Sequence, residues 1–464
     1  MKLQDARESF ERLVFTKYDK LEYHERLFVQ TYFKVFRTFV ETVHVLGLVT
    51  FPLMVMFVTK WEWLHYIVAV WSLGEIAFYI NHYRMLPKLK VRRQLKTSIE
   101  TRSYVVKGLL ENMGDPAASR NELLKNWVLE GEDMNEGHLV QWILLLMYGK
   151  SAEHMTESEL PHAKKIIEEY RDWFNLPPAD GKSPTRVYSP GLDKVNVIHK
   201  PLLYYQVLAA FRLASAAYFT LRGFRFSSSK TKHPYWVRYG NPKLVPLVFI
   251  AGVGVGFMAY INFISGLIDA YPGRTIVLLE VPYVSMQPAA EIASMDDALE
   301  DVDRMFAATG LGPCSWLSHS YGSVLHSWVV NHRRHLVKRS TFVDPISFRT
   351  WDGSLLRFFI YDKPDSMCAE AVRYFMAQDP TIGHAVSIHT FWLLNVLFPE
   401  CLTMPCHIFY STKDTLFDVQ GCIAHIRHRV ATTGQKNVIL KTMDTNHGGF
   451  QLYPKYVNEI IGAV

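Results

Sequence analysis

The run Ser318-His319-Ser320-Tyr321-Gly322-Ser323 stands between a short apolar stretch, Cys314–Leu317, and an apolar helical pattern, VLHSWVV. A serine hydroxyl is a weak nucleophile until a neighbouring base takes its proton and a third group orients that base. Presented on a sharp strand-to-helix turn, such a serine has a strained backbone, so the residues two before and two after it must be small. Here they are Ser318 and Gly322. The usual pattern is G-x-S-x-G, and Ser318 departs from it at the first glycine. Serine is the next smallest polar residue, so the turn stays feasible. An ordinary serine-rich turn before a helix would carry the same letters.

Three further segments supply what that nucleophile needs. The run Leu244–Ile250 is followed by Ala251-Gly252-Val253-Gly254-Val255-Gly256, about 65 residues before Ser320. A glycine-rich loop there lets backbone N–H groups approach a tetrahedral oxyanion, with Val253 and Tyr321 as the expected donors. The stretch CHIFYSTKDTLFD places Asp414 just past a strand. The stretch NVILKTMDTNHGGF places His447 in a short loop before two glycines. The expected catalytic set is Ser320, His447 as base and Asp414 as the acid that holds it. Asp414 as a helix cap, and Asp344 or Asp418 as the acid, are alternatives. His319 reads as a packed turn residue. The basic run from His332 to His335, with Lys338 and Arg339, is expected to cap the helix after Ser320.

These residues need a scaffold that brings several strand ends together. From about Gly223 short β-rich runs prevail. GFRFSSS and YWVRYG suggest an antiparallel pair, followed by Leu244–Ile250, Thr275–Leu279, Cys314–Leu317, Thr341–Val343, His407–Tyr410 and Val438–Lys441. Strands alternating with longer connections imply an α/β fold with a mostly parallel sheet and helices on both faces. The loop AGVGVG, the turn SHSYGS, the segment VDPISF, STKDTLFD and TNHGG together resemble the α/β-hydrolase superfamily over residues 223–464. Ala251 stands where lipase and esterase relatives often carry histidine. The resemblance implies a Ser320-His447-Asp414 triad, acyl transfer through an acyl-enzyme, a helical lid at about 348–402, and no cofactor or metal. The lid segment is rich in aromatics, among them Trp351, Phe358, Phe359, Tyr374 and Phe375. That composition suits an apolar acyl chain, so the expected substrate is a lipid or other apolar ester.

Ahead of that domain, residues 1–38 read as a cytosolic segment, 39–81 as a two-helix membrane hairpin and 82–222 as a helical region. The apolar segments run from Phe39 to Thr59 and from Trp61 to Ile80, each about 20 residues, which is span length. Glu41, His44, Glu62, His65 and Glu75 interrupt them, and ionisable groups are costly at that depth. Basic residues flank both ends, which favours cytosolic flanks on an internal membrane or lipid droplet. A buried hairpin of a soluble protein is the alternative. Leu202–Leu221 is nearly as apolar, and Leu176–Gly191 reads as a linker.

Composition excludes other classes. The chain has 464 residues, 49% hydrophobic, too apolar for disorder. Five cysteines without a CxxC pair argue against a disulfide scaffold or structural zinc. A net charge of +6 does not call for nucleic acid. One competing motif remains: Gly254-x-Gly256-x-x-Ala259 with Glu280 has the spacing of a dinucleotide-binding turn. It accounts for one loop, whereas the hydrolase reading accounts for four sites in order. An acyltransferase on the same triad and a non-catalytic membrane protein of this fold are the other readings.

Overall fold

Among the described residues, short runs of β-branched and aromatic residues form eight strands: β1 Arg225–Ser227, β2 Tyr235–Arg238, β3 Leu247–Ile250, β4 Ile276–Leu279, β5 Cys314–His319, β6 Val337–Val343, β7 Cys406–Ser411 and β8 Val438–Met443. The computed structural model describes residues 2–45, 57, 62–90, 97–128, 134–176, 187–228, 231–289, 291–389 and 392–464. The strands pair in the order β1-β2-β4-β3-β5-β6-β7-β8. β1 and β2 are antiparallel to their neighbours, and β3 through β8 are parallel. This is the mostly parallel sheet of the α/β-hydrolase fold.

Every residue of β3 and β4 is buried, as strands covered on both faces must be. Alternation divides them between two cores. Val248 and Ile250 join Trp316 and Val329 on one side, while Leu247 and Phe249 join Phe263 and Ile460 on the other. β3 starts at Leu247, later than expected, because Leu244 and Val245 are exposed and Pro246 has no N–H for a ladder.

β6 starts earlier than expected, at Val337. Lys338 is exposed and Arg339 half-buried within it, so neither caps the preceding helix. Arg333 does cap that helix, as expected: its N–H donates to the Val329 carbonyl at 2.8 Å and its Nη1 to the His332 carbonyl at 3.0 Å, and it also pairs with Asp303 at 2.8 Å.

Among the described residues eight α-helices precede the sheet: α1 Lys2–Phe15, α2 Tyr23–Val45, α3 Glu62–Lys90, α4 Ile99–Met113, α5 Pro116–Trp127, α6 Glu136–Ile143, α7 Leu160–Phe174 and α8 Leu202–Leu221. Within the sheet region come α9 Ile261–Ala270, α10 Met295–Thr309, α11 Gly322–His332, α12 Val419–Thr433 and α13 Pro454–Ile461. α10 begins with a capping box, Ser294 with Asp297. The segment between β6 and β7 is made of short helical turns from Thr350 to Cys401. It shares one core with α4 to α7: the Trp127 indole N–H donates to the Trp351 carbonyl at 2.8 Å.

Most of the first expected membrane segment lies outside the described residues, as do residues 177–186 of the expected linker and Phe391 of the lid. The second segment falls in α3. Among the described residues no single helix is long and apolar enough to cross a membrane.

Candidate active site

β5 ends at His319 and α11 begins at Gly322, which leaves Ser320 and Tyr321 to turn the chain. Ser320 has φ +52°, a left-handed conformation that costs a side-chain-bearing residue ~1–3 kcal/mol. The turn is held by the Ser320 N–H, which donates to the Val343 carbonyl at 2.9 Å. A Cβ on Gly322 would lie 2.6 Å from the Ile250 oxygen, so the crossing over β3 requires glycine there.

Ser318, the departure from the usual pattern, is fully buried and has its own partners. Its Oγ lies 2.9 Å from His326 Nδ1, and His326 Nε2 lies 3.1 Å from Ser340 Oγ. Burial pushes His326 down to about 3, so the imidazole stays neutral and exchanges hydrogen bonds with both hydroxyls.

His447 Nε2 lies 2.8 Å from Ser320 Oγ, and its Nδ1 lies 2.5 Å from Asp414 Oδ2. Asp414 follows β7 in a tight turn, where its Oδ1 accepts the Leu416 N–H at 2.9 Å. Burial opposes charge on the His447 ring, but the carboxylates of Asp414 and Asp344 outweigh it and lift the imidazole to about 9. The two alternative acids are engaged elsewhere. Asp418 caps α12 through the Gly421 N–H at 3.0 Å and pairs with Arg349. Asp344 is buried beneath the site and accepts hydrogen bonds from the Ser411 N–H at 2.7 Å and the Gly448 N–H at 3.0 Å. It therefore braces the residue after His447.

The glycine loop runs directly against Ser320: a Cβ on Gly252 would lie 2.8 Å from Ser320 Cβ. Val253 and Tyr321 line the same cavity as Ser320 and His447. The Gly252 N–H donates to the Tyr260 hydroxyl at 3.2 Å, and that hydroxyl lies 2.6 Å from His319 Nδ1. His319 Nε2 lies 3.8 Å from the Asp344 carboxylate, beyond hydrogen-bond reach. Burial keeps His319 below the ordinary histidine value, hence neutral.

The dinucleotide spacing is spent on other work. The Gly254 N–H donates to the Val284 carbonyl at 3.0 Å, and Glu280 accepts the Trp236 indole N–H at 2.8 Å. Among the described residues no group of three His, Cys, Asp or Glu side chains could hold a metal ion.

A cavity of about 340 Å³ adjoins Ser320, walled chiefly by apolar side chains such as Val253, Leu356, Phe358, Phe359, Val372 and Met376. Phe358 and Phe359 thus serve the cavity. Trp351 instead packs on His425 at 5.4 Å, and Phe375 meets Phe36 of α2 at 5.7 Å. Phe15, from the end of α1, also reaches the cavity wall.

Tyr260, His326 and the bracing role of Asp344 had no signal in the sequence, because each acts through a contact made across the fold. His319 offered one clue, its place beside the nucleophile.

No protein-family model and no curated protein matches the sequence. Solved structures do. A carboxylesterase of the ammonia-oxidizing thaumarchaeon Nitrososphaera gargenis is 16% identical, covers 51% of this chain and 96% of its own, and has a TM-score of 0.36. Naproxen esterase from Bacillus subtilis is 11% identical over 54% of this chain and 95% of its own, at a TM-score of 0.38. A membrane phospholipase A, described as a bacterial virulence factor, is 15% identical over 56% of this chain and 94% of its own, at a TM-score of 0.37. Likeness at that level says nothing about individual residues, and the site stands on its own geometry.

Proposed function

We propose that this chain of α/β-hydrolase fold is a serine hydrolase that cleaves a lipid or other apolar carboxylic ester through an acyl-enzyme on Ser320. The observation that carries the reading is the continuous line from Asp414 Oδ2 through the His447 ring to Ser320 Oγ, at 2.5 and 2.8 Å, ending on a serine at φ +52°. His447 takes the Ser320 proton as Oγ attacks the ester carbonyl, and Asp414 stabilises the imidazolium that results. The N–H groups of Val253 and Tyr321 receive the oxyanion. His447 then returns its proton to the departing alcohol. Water, deprotonated by the same imidazole, releases the acid in the second half of the reaction.

The apolar cavity beside Ser320 supports an acyl chain as the group held there, and the aromatics Phe358 and Phe359 in its wall agree with that. The basic flanks around residues 39–81 support a cytosol-facing site on an internal membrane or lipid droplet.

The test is fluorophosphonate labelling of the membrane fraction from cells expressing wild type, Ser320→Ala and His447→Ala. Labelling of wild type that both variants lose is the expected result. Absence of labelling on folded wild type would refute the reading. A preference of detergent-solubilised protein for short, water-soluble esters over long acyl chains would refute the lipid assignment.

A further inference from the structure

Helix α3 is built inside out. Its buried stripe contains Ser72, Glu75 and His82, whereas between Ile67 and Ile80 every exposed residue is apolar, Val70 at 70% and Leu73 at 67% exposure. A helix facing water has the opposite arrangement. The buried polar groups have structural work. The Glu75 carboxylate accepts the Leu202 N–H at 2.8 Å and so caps the N-terminus of α8, where negative charge is favoured. His82 packs edge-on against His199 at 4.6 Å. Glu75, in the middle of the second apolar segment, is therefore turned into the protein.

Two more helices expose apolar residues, one packed directly on α3 and one reached through the lid. α8 lies against α3, where a Cβ on Gly74 would touch Leu202 at 3.5 Å, and it exposes Leu203, Val207 and Phe211 on one four-residue spacing. α2 exposes Phe28, Val35 and Phe39. α2 and α8 meet at the lid: Phe375 stacks on Tyr204 with ring centres 6.2 Å apart and lies 5.7 Å from Phe36. The next residue, Met376, lines the cavity beside Ser320. Scattered exposed apolar residues are ordinary on a soluble surface, but a face made of three helices is not.

We propose that the outer faces of α2, α3 and α8 form one docking surface for a lipid bilayer, seated among the head groups and upper acyl chains. The inverted polarity of α3 selects lipid over a protein partner, because protein interfaces mix polar and apolar area in nearly equal parts. The border of the face agrees: Tyr83, Arg84, Lys88 and Lys90 follow the apolar run on α3, the tyrosine-and-cation fringe of an interfacial helix. The surface stands independently of catalysis. Only its purpose, delivery of an ester to Ser320, rests on the hydrolase reading.

Flotation of the purified full chain with phosphatidylcholine vesicles, with and without phosphatidylserine, tests it. Wild type is expected to float. The double variant Val70→Glu/Leu73→Glu and the single variant Phe211→Glu are expected to float at least about 10-fold less, each introducing charge into the apolar face. All three positions are exposed, so melting temperature and turnover of a short soluble ester should match wild type, while turnover of an ester embedded in the vesicles falls with flotation. Undiminished flotation of the variants overturns the proposal. So does wild type that stays off vesicles and forms a dimer by light scattering that the variants dissociate. Wild type that floats normally but resists fluorophosphonate would keep the docking surface and remove the hydrolase.

Discussion

The Tyr260 hydroxyl lies 2.6 Å from His319 Nδ1 and 3.2 Å from the Gly252 nitrogen, so one phenol ties the residue before Ser320 to the residue before Val253, the proposed oxyanion donor. With Asp344 beside His319 and bonded to the Gly448 N–H, this buried line also reaches the loop of His447. Two sets of polar groups therefore surround one serine: His447, bonded to Asp414, is the proposed base, and Tyr260, His319 and Asp344 lie between the loops around it.

Tyr260→Phe keeps the packing and deletes the hydroxyl. Outright loss of an oxyanion donor costs ~100- to 1,000-fold in rate, and a donor loosened in place costs a part of that. The expected outcome is a drop of about 10-fold in kcat, with KM close to wild type, in steady-state ester hydrolysis. Equal loss in kcat and gain in KM would mean that Tyr260 shapes substrate binding instead.

Acid limits the proposed reaction because the base must be neutral. His447 is lifted from its ordinary value of ~6.5 to about 9 by the neighbouring carboxylates, against the effect of burial. The acid limb of kcat/KM is therefore expected above ~6.5, toward about 9. Asp414→Asn removes the nearer charge, so the limb should move back toward ~6.5 while kcat falls by about 10⁴. Stability carries the matching sign. A folded value above the unfolded one stabilises the fold fully below ~6.5, and that stabilisation is lost as pH rises through about 9. The Tm of wild type should decline over that window more steeply than that of Asp414→Asn.

The meeting of Ser320, Asp414 and His447 was legible because each stands just past an apolar strand run, and strand ends on one edge of a parallel sheet are neighbours whatever their separation in sequence. A mostly parallel sheet followed from the same runs. What stayed hidden depends on direction rather than type. Glu75 looks like an obstacle to membrane contact until the helix is rotated so that it faces the N-terminus of α8. Lys338 and Arg339 read as a helix cap because their run is basic, yet strand alternation from Val337 puts Lys338 outside. Tyr260 lies 59 residues before its partner His319, and nothing in either segment marks the other.

Ser318 illustrates a local substitution with a structural consequence. Ser318→Ala deletes the hydroxyl that meets His326 Nδ1 at 2.9 Å and leaves a buried imidazole nitrogen unsatisfied. The expected cost is ~1–3 kcal/mol in denaturant unfolding, with turnover per folded molecule near wild type. A large fall in turnover at unchanged stability would instead place Ser318 in the reaction.

Acyl-chain length gives the most direct reading of the cavity beside Ser320. Leu356 and Phe359 both line it and are 2% and 7% exposed, so side-chain volume there is exchanged against cavity volume. Leu356→Trp fills the space and Phe359→Ala enlarges it. Each methylene that an apolar pocket accepts or refuses changes kcat/KM by ~10- to 200-fold. Across a series of p-nitrophenyl esters, the optimum is expected to move to shorter chains in Leu356→Trp and to longer chains in Phe359→Ala, with acetate turnover changing least. Both variants disturb a packed wall at ~1–5 kcal/mol, so rates must be compared per fluorophosphonate-reactive molecule. A chain-length profile that stays the same in both variants would show that the acyl group lies elsewhere and that this cavity holds the alcohol.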